Sequence, residues 1–207
     1  MKYKWLNKEN NSEVIIFFNG WGMEENVVEH LAYDGHDVLM FFDYNNLETD
    51  FDFSTLSEYK KRSMVAWSMG VMISTIFAEK IGDVLHSTAI NGTLKPIDKN
   101  FGIKPKVYDL TIKLFSKESR DKFVQNMFNT NILSSLTVKR TLENQKSELI
   151  AIKDYKANEN FKFDRILISS DDLIIPTLNQ VNYWKIEPNI QGGHCVFPLF
   201  KSWGELL

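Results

Sequence analysis

Three short runs restrict this chain more than anything else in it. Glu13–Asn19 (EVIIFFN), Asp37–Phe42 (DVLMFF) and Ser63–Trp67 (SMVAW) are apolar at consecutive positions. Side chains of a strand alternate between its two faces, so a run apolar at every position must be covered on both. That is the condition of a parallel strand sandwiched between helices. Leu85–Asn91 is a fourth strand candidate, ending in the turn-like pair Asn91-Gly92. Between the strands, Val27–Ala32 reads as a short helix, and Gly70–Lys80 has helical spacing at Val71, Ser74, Ile76 and Phe77. This alternation predicts an α/β fold with a mostly parallel sheet flanked by helices.

The pattern changes after the fourth strand. From about Thr93 to Asn160 no buried strand stands out, and Tyr108–Phe115 and Arg120–Phe128 look like amphipathic helices. Strand character returns at Arg165–Ser169 (RILIS). A helix is predicted at Thr177–Trp184, a short strand at Lys185–Glu187, and a closing helix within Val196–Leu207. The chain therefore reads as one domain, residues 1–207, with a helical insertion over approximately 93–160 acting as a lid.

Composition narrows the function classes. At 207 residues, 43% hydrophobic and 25% charged, the chain can bury a substantial core. A net charge of −3 disfavours general nucleic-acid binding. One cysteine, Cys195, excludes an internal disulfide or an all-cysteine zinc site and suits a reducing compartment. The start, MKYKWLNKENNSEV, has no apolar segment of the secretory kind. No run approaches the roughly 20 apolar residues of a membrane span. The expectation is a soluble, cytoplasmic protein.

The strongest chemical signal is Ala66-Trp67-Ser68-Met69-Gly70, between a strand and a helix. It has the form of a G-x-S-x-G nucleophile elbow with alanine in the first small position. Small neighbours are needed because the sharp turn holds the serine in a strained backbone. Alone, the pentapeptide also suits an ordinary strand–helix turn with a capping serine. The order of further residues adds weight. Asp172, after RILIS and within DDLIIP, follows the serine, and His194, in GGHC, comes last; this is the order of that nucleophile class.

A serine hydroxyl is a weak nucleophile, so a base must take its proton, and a carboxylate must orient the base. His194 fits the first role and Asp172 the second. Asp172 is preferred to Asp171 because it lies at a strand end, four residues before Pro176, although Asp171 is not excluded. Asn19-Gly20-Trp21-Gly22, after the first strand, suggests an oxyanion site in which the N–H of Trp21 and that of Met69 meet developing negative charge.

Together, FFNGWGM, VAWSMGV, SSDDLIIP and GGHCVFP resemble the α/β-hydrolase superfamily, and within it the BioG-type pimeloyl-acyl-carrier-protein methyl ester esterases of biotin synthesis. The resemblance implies hydrolysis of a carrier-bound pimeloyl methyl ester by Ser68, Asp172 and His194, with Trp21 and Met69 around the oxyanion, and no metal or cofactor. Asn19 stands where many relatives have histidine, and Ala66 where many have glycine; neither removes a catalytic atom.

Charge bears on the partner. Nine basic residues face four acidic ones between Lys104 and Lys146, on a chain whose net charge is negative. A basic insertion on an acidic body steers an acidic partner to one face. Acyl-carrier proteins are acidic, and Arg120 and the pair Lys139-Arg140 are the docking candidates. Trp67 suits either core packing or a wall of the site. A small-molecule esterase or thioesterase on the same fold, or a binding module without catalysis, are the competing readings.

Overall fold

The computed structural model describes residues 1–128 and 138–207; residues 129–137, within the insertion expected over 93–160, lie outside the described residues. Six strands, β1 (Lys2–Asn7), β2 (Glu13–Phe18), β3 (Asp37–Phe42), β4 (Lys61–Trp67), β5 (His86–Ile90) and β6 (Arg165–Leu167), form one sheet in the order β1-β3-β2-β4-β5-β6. Every pairing is parallel except β1 with β3.

The consecutive apolar residues divide as their period of two requires. Val14, Ile16, Phe18, Leu39, Phe41, Met64 and Ala66 enter the core on one face. Ile15, Phe17, Val38, Met40, Val65 and Trp67 enter the core on the other. Both faces are covered, and β2, β3 and β4 are buried almost throughout.

The helices are α1 (Met69–Ile76), α2 (Ala78–Ile81), α3 (Pro105–Lys113), α4 (Lys117–Phe128), α5 (Leu142–Ile152) and α6 (Thr177–Trp184). The helix expected over Gly70–Lys80 divides at Phe77, whose N–H bonds back to Ser74. Among the described residues, three helices, α3 to α5, occupy the stretch between β5 and β6. No helix among the described residues is long and apolar enough to cross a membrane.

The structure corrects three local expectations. Val27–Ala32 is not a helix: only a 3-10 turn, Glu25–Val27, forms, and Ala32 instead bridges Ser202. Lys185–Glu187 is not a strand, because Lys185 ends α6 in the left-handed region (φ 59°) and the bridge to Ser169 is made by Ile190. The tail forms two 3-10 turns, Phe197–Leu199 and Gly204–Leu206, rather than a helix. Its backbone is engaged elsewhere: Lys201 O accepts from Ala32 N–H and Trp203 N–H donates to Ala32 O.

Strand β1 and helix α5 have no counterpart among these expectations. Strand β1 alternates Lys2 and Lys4 with Tyr3 and Trp5, whose rings pack against Phe51 at 5.0 and 6.4 Å. Lysines on an outer strand also discourage pairing with another chain. Helix α5 starts at Thr141, whose hydroxyl accepts from Asn144 N–H at 3.2 Å.

Candidate active site

The loops at the carboxyl ends of β2, β4, β5 and β6 meet at one edge of the sheet, where ligands bind in open α/β folds. Ser68 sits between β4 and α1 with φ 57° and ψ −124°, a conformation seldom adopted by a residue with a side chain. Its N–H bonds to Ile90 O at 2.9 Å, fixing the turn to β5.

The turn is possible because its neighbours are small. A Cβ on Gly70 would lie 2.3 Å from Phe18 O, and one on Gly92 2.4 Å from Ser68 O. The Ala66 methyl group is accommodated within the buried core.

His194 Nε2 lies 2.8 Å from Ser68 Oγ, and His194 Nδ1 lies 2.7 Å from Asp172 Oδ2. All three residues are buried. A carboxylate can only accept, so Nδ1 carries the proton and Nε2 is left to accept from the serine hydroxyl. The structure thus brings together the three residues singled out in the sequence, and Asp172 rather than Asp171 faces the imidazole. Asp171 is exposed, with Oδ2 accepting from Ser170 Oγ at 2.6 Å.

Asp172 is itself held in place. Its Oδ1 accepts from the N–H groups of Ile174 (2.8 Å) and Ile175 (3.0 Å), and its Oδ2 from Gln180 Nε2 (2.8 Å). The DDLIIP turn therefore wraps its own amides around the carboxylate, and α6 supplies a third donor. Such bonds fix the direction in which the carboxylate faces the imidazole.

The histidine loop is clamped through its backbone. His194 O accepts from Trp67 Nε1 (2.9 Å) and from Asn91 Nδ2 (2.8 Å). Asn91 also accepts from Ser169 N–H (2.8 Å) and donates to Ser169 Oγ (2.7 Å), so one buried side chain joins the ends of β5 and β6 to the histidine. Trp67 is fully buried and packs edge-on to Phe197 at 5.2 Å. It is a core residue whose indole N–H holds the main-chain carbonyl of His194.

Asn91 and Gln180 were not anticipated. Asn91-Gly92 reads as a turn, which is correct, but nothing in the sequence says where an amide side chain points. Cys195, beside the histidine, is buried among apolar groups, and that burial pushes its thiol up to about 12. It therefore stays protonated and inert at neutral pH.

Beside Ser68 lies a cavity of about 520 Å³, lined among others by Trp21, Met69, Tyr108, Leu114, Phe123 and Leu149. Trp21 and Met69, the two residues of the oxyanion reading, line this cavity together with Ser68. Neither backbone N–H donates to an acceptor among the described residues. The Trp21 ring packs against Phe115 and Phe123 at 5.5 and 4.9 Å, and its Nε1 donates to Gln145 O at 2.8 Å.

Of the docking candidates, Arg140 is corrected. Its side chain is only 5% exposed and pairs with Asp43 (3.1 Å) and Glu148 (2.8 Å), so it faces the interior and has no surface to offer. Arg120 is 17% exposed and pairs with Asp121 at 2.9 Å. Lys139 is 69% exposed and pairs with Glu25 at 3.2 Å.

Comparison with known proteins gives this geometry a context. A crystal structure of BioG from Haemophilus influenzae superposes with a TM-score of 0.89 at 30% identity, covering 100% of this chain and 99% of that one. A malonyl-[acyl-carrier protein] O-methyltransferase of Bacteroides fragilis is 33% identical over 181 residues, 84% of this chain; the match spans 36% of that protein's length. The naproxen esterase of Bacillus subtilis shares the α/β-hydrolase fold at a TM-score of 0.53 and 11% identity, over 94% of this chain and 81% of its own. The family model described as pimeloyl-ACP methyl esterase BioG matches residues 1–206, so the chain belongs to the BioG family and is a carboxylic ester hydrolase.

Proposed function

We propose that the chain removes the methyl group from pimeloyl-acyl-carrier-protein methyl ester, as a serine hydrolase of biotin synthesis. The observation that carries the chemistry is the contiguous hydrogen-bonded series Ser68–His194–Asp172 at the wall of an apolar cavity. Family membership supports the substrate. So does the likeness of this chain to part of an enzyme named for methylating a carrier-bound acyl group.

In this mechanism Ser68 Oγ attacks the ester carbonyl while His194 Nε2 takes the hydroxyl proton. The tetrahedral oxyanion is met by the N–H groups of Trp21 and Met69, each such donor being worth about 10²–10³ in rate. Collapse breaks the bond to the methoxy group, and the imidazolium returns its proton so that methanol departs. Water then attacks the acyl-serine with His194 again as base. Ser68 is regenerated, and the pimeloyl chain leaves with a free carboxylate. Asp172 keeps the imidazole in the Nδ1–H tautomer and stabilises the imidazolium.

The insertion over 93–160 serves as the lid, with α3, α4 and α5 forming the cavity's outer wall. The acyl-carrier protein docks on its exposed lysines. Lys104, Lys106, Lys113 and Lys122 are exposed and have no ion-pair partner among the described residues, unlike Arg120 and Lys139; Lys122 also lines the cavity. Unpaired cations keep their field for an acidic partner.

The test is methanol release from the carrier-bound methyl ester, with Ser68→Ala as control. The wild type should turn over and the variant should not. A variant as active as the parent removes Ser68 from the mechanism, and no methanol from the wild type removes the substrate. Reversing charge at Lys106 and Lys113 should weaken the carrier-bound reaction and spare a small p-nitrophenyl ester.

A further inference from the structure

Behind the catalytic residues lies a charged cluster that neither the triad nor the cavity accounts for. Glu148, on α5, is fully buried. Its Oε2 accepts from Gly22 N–H at 3.1 Å, and its Oε1 from Tyr44 N–H at 2.7 Å. Arg140 Nη1 pairs with the same carboxylate at 2.8 Å, Arg140 Nη2 pairs with Asp43 at 3.1 Å, and Lys2 closes the set on Asp43 at 2.9 Å. The two acids thus face Arg140 and Lys2, and the Met1 ammonium also lies within electrostatic reach of both carboxylates. Burial pushes the Glu148 carboxyl up, while Arg140 and the two backbone donors oppose that shift.

A buried ion pair of this kind contributes little net stability compared with an apolar core of the same shape. What it does supply is geometry. Gly22 directly follows Trp21, and Gly22 occupies the left-handed region (φ 72°), so the loop's path there is set by what its N–H meets. The same helix takes the Trp21 indole through Gln145 O at 2.8 Å. From the other side Tyr44, whose N–H is on Glu148, donates its hydroxyl to Asn19 O at 2.8 Å. One carboxylate therefore anchors the 19–22 loop twice, directly at Gly22 and through Tyr44 at Asn19.

We propose that Glu148, neutralised by Arg140, is a positioning residue for the hydrolytic reaction: it fixes the 19–22 loop so that the Trp21 N–H is aimed at the oxyanion beside Ser68. The proposal rests on the oxyanion role given to Trp21 above. It makes α5, a helix of the insertion, part of the transition-state machinery although it does not touch the reacting atoms.

The experiment compares Glu148→Gln with the wild type on a p-nitrophenyl ester and with an alkyl trifluoromethyl ketone, whose adduct on Ser68 carries the oxyanion. Glutamine keeps the shape but turns an N–H₂ group toward Arg140 or a backbone donor. Misplacing a preorganised donor by about 1 Å costs about 10²-fold. The expected result is kcat lowered about 10–100-fold with KM within about threefold, and ketone affinity lowered in proportion to kcat/KM. Unchanged kcat and ketone affinity overturn the proposal, whatever the thermal stability does.

If Glu148→Gln does not fold, Glu148→Asp keeps the charge opposite Arg140 but withdraws the carboxylate by one methylene. A smaller loss in kcat and in ketone affinity supports the proposal, and wild-type values for both overturn it. Ser68→Ala run alongside separates the two levels: an active Ser68→Ala refutes the serine mechanism itself. An inactive Ser68→Ala with a wild-type-like Glu148 variant refutes only the role of Glu148.

Discussion

Asn91 is the side chain whose removal tests this description most sharply. It is fully buried, with φ 45°, a conformation that asparagine tolerates better than most residues. Asn91→Ala deletes the bond to His194 O (2.8 Å) and both bonds to Ser169 (2.8 and 2.7 Å). His194 O keeps Trp67 Nε1, but Ser169 N–H loses its acceptor in a dry site. An orphaned buried donor costs about 1–3 kcal/mol, and each lost neutral bond about 1 kcal/mol. The sum, roughly 3–5 kcal/mol, corresponds in a chain of this size to a melting temperature lower by about 6–20 °C.

The same change loosens the loop carrying His194, so kcat on a p-nitrophenyl ester should fall about 10–100-fold even where the variant is fully folded. Asn91→Asp is the sharper probe. It is the same size but places a second oxygen where the amide donates to the carbonyls of Gly193 (3.3 Å) and His194 (2.8 Å), and it should be no better than alanine on either measure. Calorimetry and steady-state kinetics on the three proteins decide the matter. If Asn91→Ala melts within about 2 °C of the wild type and keeps its kcat, the clamp does not hold the base.

Gln180→Leu removes one donor to Asp172 and leaves the amides of Ile174 and Ile175, so kcat should fall by about tenfold or less, measured on the same ester. Gly70→Ala forces a methyl group against Phe18 O and Asn19 O, and should yield insoluble protein or lose activity outright in expression and activity assays. Glu25, bonded to Lys4 and Lys139, is lowered to about 2 from an ordinary value near 4.5. A depressed carboxyl stabilises the folded state above its unfolded value and loses that contribution as pH falls from about 4.5 to 2. Unfolding free energies of Glu25→Gln and wild type from urea titrations should therefore differ by at most about 1 kcal/mol at pH 6 and converge at lower pH.

Most of the sheet is legible in the sequence because β2, β3 and β4 are apolar on both faces, a pattern few other environments permit. The three catalytic candidates are legible for a different reason. The elbow needs small residues at fixed offsets, and the chain order of the other two is characteristic. Strand β1 escaped because a half-exposed outer strand, with lysines alternating with aromatics, carries a weaker signal. The docking reading of Arg140 fails because charge alone says nothing about direction. Its partners, Asp43 and Glu148, lie 97 and 8 residues away and are brought together only by folding. Asn91 and Gln180 are polar residues with no motif of their own, and their roles exist only in three dimensions.

One main-chain bond limits how the cavity can open. Cys195 N–H, next to the proposed base, donates to Met127 O near the end of α4 at 2.9 Å. Swinging α4 outward as a rigid flap would break that bond and tug on the peptide adjoining the imidazole, so admission of a bulky acyl group by that route would disturb proton transfer. Among the described residues the α3 side shows no such backbone bond to the His194 loop, and Val107, Leu110 and Leu114 there are already more than half exposed.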